Sequence, residues 1–281
     1  MNAIEIKNLN KSYKDFSLKD VSFNVEKGTV MGLIGANGSG KTTILKSILS
    51  IIKYEGEILI FGDKISNDIK EKLNSVFDEY FIGEYMNPIE IEKIYSSIYL
   101  SWDNNYYHGL LNKFDIPVKK KYKDFSKGMK VKLKIAIALS TKPKLLVLDE
   151  PTSGLDPVIR SEILDIFLDY MEDEDNTILI SSHITTDLEK IADYITFIDN
   201  GEVVFSEEKY ELEENYGIVR VSESDFEKID KSFIVKFKKE KYQINVLVND
   251  VHKFKEKYPE LVMDKTNIDE IMVLYLRGED A

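Results

Sequence analysis

The chain has 281 residues, enough for one large domain or for a domain with a smaller companion. Hydrophobic residues make up 43% and charged residues 31%, a globular balance, and the net charge of −12 weighs against a nucleic-acid binder, which needs a basic face. The absence of cysteine excludes a disulfide framework and any cysteine-ligated metal. The first seven residues lack the basic start and apolar run of a signal peptide, and no stretch approaches the ~18 apolar residues of a membrane span.

Residues 4–8 and 21–25 alternate as half-buried strands, with the segment 11–16 between them. Glu26-Lys27-Gly28 reads as a turn, and Val30-Met31-Gly32-Leu33-Ile34 as a short buried strand. The stretch that follows is Gly35-Ala36-Asn37-Gly38-Ser39-Gly40-Lys41-Thr42, then Thr43. It fits the pattern of glycine, four free positions, glycine, lysine and a hydroxyl residue. Ile44, Leu45, Ile48, Leu49 and Ile52 continue at helical spacing, so the loop joins a strand to a helix start. Backbone N–H groups at a helix start have no internal partner and carry the positive end of the dipole. Glycines let such a loop curl around one anion, Lys41 can reach outer phosphates, and Thr42 can ligate Mg²⁺.

Residues 57–61 form another predicted strand, bracketed by Gly56 and Gly62-Asp63. From about 88 to 134 the pattern is helical. Ile89, Ile91, Ile94, Tyr95 and Ile98 give one apolar face, Val131, Ile135, Ala138 and Leu139 another, and Lys119-Lys120-Lys121 lies in a solvated loop. Trp102 reads as a packing residue. Leu145-Leu146-Val147-Leu148 and Ile178-Leu179-Ile180 are continuous apolar runs, the mark of strands buried on both faces. Helices are predicted over 163–171 and 185–192, and a hairpin around Asn200-Gly201. Strands alternating with helices imply an α/β fold with a mostly parallel sheet.

The first of these runs, Leu145 to Leu148, ends in Asp149-Glu150. Acids at the end of a buried strand sit at the crevice where open α/β sheets bind ligands. Asp149 can hold Mg²⁺, and Glu150 can orient or deprotonate an attacking water.

At this point the chain resembles the ATPase subunit of an ATP-binding cassette (ABC) transporter, over residues 1 to about 205. The motifs that carry the resemblance are the phosphate loop, Asp149-Glu150, and Pro151-Thr152-Ser153-Gly154-Leu155-Asp156 directly after it. Lys123-Asp124-Phe125-Ser126-Lys127-Gly128-Met129 stands at the family's signature position, with Ser126 placed 23 residues before Asp149. His183 follows Glu150 by 33 residues and closes a buried strand, as the family's switch histidine does. The resemblance implies a P-loop NTPase with an N-terminal antiparallel β-subdomain, a helical subdomain at about 80–134, and Mg²⁺ and ATP as cofactors. It implies that Tyr13 stacks on adenine, Lys41, Glu150 and His183 act on the γ-phosphate, and Thr42 and Asp149 hold the metal. Two copies, or one copy and a second ABC ATPase, would pack around two ATP molecules. The signature residues Ser126, Lys127, Gly128 and Met129 of one would then cap the nucleotide of the other, and Ser153, Gly154, Leu155 and Asp156 would form the contact loop across the dimer. A separate integral-membrane permease would hold the protein at the inner face of the cell membrane.

Two departures from the family stand out. The signature, usually Leu-Ser-Gly-Gly-Gln, reads Phe125-Ser126-Lys127-Gly128-Met129. The loop glutamine that normally touches the metal is replaced by Glu79, with Asp78 the alternative. Both changes resemble a bacterial exporter branch, pointing to a peptide, antibiotic or other drug-like cargo. The aromatic segment Phe77, Tyr80, Phe81, Ile82, Tyr85 serves either as the permease grip or as packing. Residues 206–215 read as an acidic linker and 216–281 as a small α+β accessory domain. In that domain Phe233, Val235 and Phe237 and then Tyr242, Ile244 and Val246 alternate as two strands about a turn at 238–241, and 251–258 and 268–276 look helical. The rival readings are a soluble ABC ATPase with no transport role and a binding module with slow turnover.

Overall fold

The computed structural model describes residues 1–77 and 82–280. The chain opens with β1 (Asn2–Ser12) and β2 (Ser17–Glu26), paired antiparallel. β3 (Val30–Ile34) runs into α1 (Lys41–Ile48), and β4 (Glu55–Ile60) returns to the free edge of β1. After α2 (Asn67–Glu71) and β5 (Leu73–Val76) come three helices, α3 (Pro88–Ile98), α4 (Asn104–Lys113) and α5 (Lys127–Ser140). Then β6 (Leu145–Asp149), α6 (Pro157–Met171), β7 (Thr177–Ser182), α7 (Thr185–Ile191) and β8 (Tyr194–Asp199) alternate, and β9 (Glu202–Glu208) folds back on β8. The tail contains α8 (Lys209–Asn215), β10 (Gly217–Val221), α9 (Glu223–Phe226), β11 (Ile234–Lys239), β12 (Ile244–Val248), α10 (Val251–Lys257), β13 (Met263–Lys265) and α11 (Ile268–Arg277).

The central sheet has the order β5-β6-β7-β3-β8-β9 and is parallel except for β9. Its middle strands β6, β7 and β3 are buried at nearly every position because both faces are covered. Leu145 and Val147 join a core with α1 and the three-stranded β2-β1-β4 sheet, whereas Leu146 and Leu148 join a core with α5 and α6. Because β6, β7 and β3 are parallel neighbours, their C-terminal ends open on one edge, with Asp149 opposite Ser181 and Ile34 opposite Ser182. The loops after all three strands therefore meet there, which is where such sheets bind ligands.

The apolar face expected on α3 is only partly buried. Asn87 caps the helix through a reciprocal bond with Glu90, and Ile91 is buried, but Ile89, Ile94 and Ile98 are exposed by 36%, 43% and 60%. The helix is held through the side that carries Ile91 and Tyr95, so hydrophobicity at the other isoleucines does not mean burial. The segment read as a linker begins by completing β9 to Glu208, and Leu212 of α8 is fully buried. The tail forms a four-stranded antiparallel sheet, β11-β12-β10-β13, in which β10 and β13 lack the alternation that marked β11 and β12. Val219, Val246 and Phe254 fill one side of it. On the other side Ile268, Ile271 and Leu274 of α11 share a core with Leu188 and Ile191 of α7. The Tyr275 ring lies 5.9 Å from Phe197 and 5.6 Å from Phe205.

Candidate nucleotide-binding site

At the shared edge of the sheet lies a hollow of about 590 Å³, lined by Phe16, Asn37, Gly38, Gly40, Lys41, Thr42, Thr43, Asp149 and Glu150. Its floor is the loop between β3 and α1. Gly40 caps α1 at φ 115°, and a Cβ there would lie 2.6 Å from Leu18 Cδ2 and 2.8 Å from Phe16 Cζ, so only glycine fits. Lys41 is almost fully buried and donates through Nζ to the carbonyls of Gly35 (2.9 Å) and Ala36 (3.1 Å). Burial pulls its ammonium below the ordinary lysine pKa, while the carboxylates of Glu150 and Asp149 oppose the shift. A buried cation held by two carbonyls, with Glu150 and Asp149 beside it, is suited to an incoming polyanion. The buried hydroxyl of Ser39 in the same loop has no hydrogen-bond partner among the described residues, a donor such a ligand can use.

The acidic wall comes from β6. Asp149 accepts hydrogen bonds from Thr42 Oγ1 (2.8 Å) and from Ser181 Oγ (2.7 Å). The Thr42 hydroxyl and Asp149 carboxylate thus form a pair of hard oxygen donors at the mouth of the phosphate loop. Among the described residues no group of three or more His, Asp or Glu side chains could hold a metal alone. That donor set fits Mg²⁺, which uses one or two protein oxygens and takes the rest from phosphates and water. Glu150 sits in the left-handed region at φ 46°, with its N–H donated to Ser181. The turn aims its carboxylate along the hollow, with Oε1 3.7 Å from Lys41 Nζ and Oε2 2.9 Å from His183 Nδ1. His183 stands at the end of β7, so three neighbouring strands deliver Lys41, Glu150 and His183 to one point.

The structure brings the phosphate loop, Asp149, Glu150 and His183 together. Tyr13 is half exposed and lines an adjoining hollow with Lys14, Asp15 and Phe16, and Lys11 Nζ lies 5.1 Å from its ring. Phe16 belongs to both hollows, a contact that periodicity did not single out; its only sequence signal was an aromatic three positions after Tyr13. Ser126, Lys127, Gly128 and Met129 open α5 outside the main hollow, with the Ser126 hydroxyl accepting from Met129 N (3.3 Å). Ser153, Gly154 and Leu155 form a turn, and Asp156 caps α6 by accepting from Val158 N and Ile159 N. The two segments touch: Lys127 Nζ would lie 2.6 Å from a Cβ at Gly154. Glu79 and its alternative Asp78 lie outside the described residues, as do Tyr80 and Phe81. Trp102 packs 5.0 Å from the buried Tyr107 ring and donates from its indole nitrogen to Asn104, a structural role.

Comparison with known proteins agrees with this geometry. A family model described as ABC transporter matches residues 18–153. The chain is 36% identical over 218 residues to the ABC transporter ATP-binding protein YtrB of Bacillus subtilis, covering 76% of this chain and 74% of that one. It is 38% identical over 216 residues to the lantibiotic transport ATP-binding protein SrtF of Streptococcus pyogenes, covering 75% and 93%. A solved ATP-binding subunit of an ABC transporter superposes with a TM-score of 0.65 at 28% identity, covering 73% of this chain and 90% of that chain. The chain therefore belongs to the ABC transporter family, as an ATP-binding, ATP-hydrolysing subunit.

Proposed function

We propose that this chain is the motor of a membrane exporter, hydrolysing Mg-ATP between two cassettes and passing the resulting motion to a separate permease. The observation that carries the reading is the meeting of Lys41, Thr42, Asp149, Glu150 and His183 at one edge of the sheet. Lys41 and the loop N–H groups take the charge of the β- and γ-phosphates, and Phe16 and Tyr13 support the base. Thr42 and Asp149 hold Mg²⁺, with Glu79 as the further contact; the metal supplies charge neutralisation on the phosphate oxygens. Glu150 orients the attacking water and accepts its proton, and His183, hydrogen-bonded to Glu150, reaches the γ-phosphate.

Ser126, Lys127, Gly128 and Met129 lie outside the hollow of their own chain, which supports a role on a partner's nucleotide, with residues 153–156 as the loop between cassettes. The partner is a second copy or a second ABC ATPase. Residues 1–205 are the motor, 206–215 the connection and 216–281 an accessory unit. With no helix among the described residues long and apolar enough to cross a membrane, attachment to the inner face of the cell membrane goes through the permease. The relation to a lantibiotic transport protein supports a peptide, antibiotic or other drug-like cargo, and the acidic balance supports a role without nucleic acid. The test is phosphate release by the purified chain, alone and with permease-containing membranes. Stimulation by those membranes supports the motor reading; turnover indifferent to them favours an ABC ATPase that works away from transport.

A further inference from the structure

Residues 113–134 carry nine lysines against two acids, Asp115 and Asp124, while the rest of the chain carries 29 basic and 48 acidic residues. Within this segment Lys113 pairs with Asp169 and Lys132 with Glu162. Lys119, Lys120, Lys121 and Lys123 are exposed, and none has a carboxylate partner among the described residues. Their loop is held firmly. Tyr122 is buried, its N–H donates to Met86 O (2.8 Å), and Lys123 N–H donates to Glu84 O (2.9 Å). The second strap carries Tyr85, 66% exposed, with Lys123 Nζ 4.5 Å and Lys121 Nζ 5.7 Å from its ring.

We propose that this fixed group of Lys119, Lys120, Lys121, Lys123 and Tyr85 is a docking surface for anionic phospholipid headgroups. Unpaired ammonium groups around an exposed tyrosine are the chemistry of a membrane interface, where the phenol sits at headgroup level and the lysines meet phosphate. The chain's overall negative charge does not oppose this. At physiological salt the screening length is about 8 Å, so acidic faces elsewhere are screened while the lysines act locally. Single-stranded nucleic acid is the poorer fit, because Lys121 and Lys123 lie over the Tyr85 face on which a base would stack. The inference rests on the reading that the chain works beside a membrane, and it adds a direct contact with the lipid itself. That contact would orient the helical subdomain before the permease is engaged.

The experiment is sedimentation of the purified full chain with vesicles of phosphatidylcholine, with and without phosphatidylglycerol. A lysine at an anionic surface contributes about fivefold to partitioning. Binding is expected only with phosphatidylglycerol, to weaken as salt rises, and to fall by about 600-fold, the product of four such factors, when all four lysines are changed to glutamine. The corresponding four-arginine variant should keep binding, and both variants should keep the basal phosphate-release rate in solution. Equal binding to the two vesicle types, unchanged binding by the glutamine variant, loss in the arginine variant, or preference for an RNA oligonucleotide over phosphatidylglycerol would each overturn the proposal. None of these arms contains permease, so failure here leaves the motor reading to its own test.

Discussion

Changing Glu150 to Gln separates chemistry from binding and folding in this site. The carboxylate Oε1 lies 3.7 Å from Lys41 Nζ, worth about 4 kcal/mol of gross attraction at an effective dielectric of 20. Glu150 is 29% exposed, and Lys41 keeps its bonds to Gly35 O and Ala36 O, so the net loss of stability should be about 1 kcal/mol or less. Glutamine matches the shape, suffers no more than glutamate at φ 46°, and can still bond His183. It cannot accept a proton from water. Losing a positioned base costs ~10²–10⁴ in rate, or roughly 3–5 kcal/mol of barrier. The variant should therefore melt close to the parent, bind Mg-ATP at least as tightly with one negative charge fewer beside the phosphates, and release phosphate at least a hundredfold more slowly. It should also accumulate as an ATP-bound dimer on size exclusion. Turnover within tenfold of the parent would remove Glu150 as the base, and loss of ATP affinity would show that its carboxylate serves the fold of the loop instead.

Two further outcomes test other parts of the reading. Phe16→Ala should raise the dissociation constant for ATP about tenfold, consistent with roughly 1–3 kcal/mol for a base stacked on an aromatic ring, and Tyr13→Ala should raise it less, because only Phe16 also lines the phosphate-loop hollow. A fluorescent-nucleotide titration ranks the two, and the reverse order would return the main base contact to Tyr13. Leu274→Ala, in the core that α11 shares with α7, should cost about 2–5 kcal/mol in denaturant unfolding. A cost below 1 kcal/mol would mean that α11 is not a structural wall of the motor.

The parts of the site that were legible in the sequence are those whose chemistry demands fixed residue types at fixed spacing. The phosphate loop needs glycines where the backbone turns and a lysine at the helix start, and Asp149-Glu150 needs a strand buried on both faces to present it. Those requirements leave a readable pattern, and the strands β3, β6 and β7 followed from it. Phe16 was not legible because its role comes from a tertiary meeting with Gly40. The α3 stripe misled because apolar spacing reports a face, not what covers it. β10 and β13 were missed for a related reason: β10 is buried at four of five positions, and β13 is only three residues long, so neither alternates clearly.

The close approach of α5 to α6 bears on how the signature segment can drift. A Cβ on Gly128 would lie 2.6 Å from Ile159 Cδ1. A side chain at that position would therefore have to displace the tip of Ile159 within its own subunit, whether or not a partner's nucleotide ever arrives. The preceding position has no such ceiling: the Lys127 side chain is exposed and reaches across Gly154. A family glycine can give way to lysine there without rearranging the interior. Of the two neighbouring residues, Lys127 is thus the better place to look for tuning of subunit pairing, and Gly128 says more about how two helices fit.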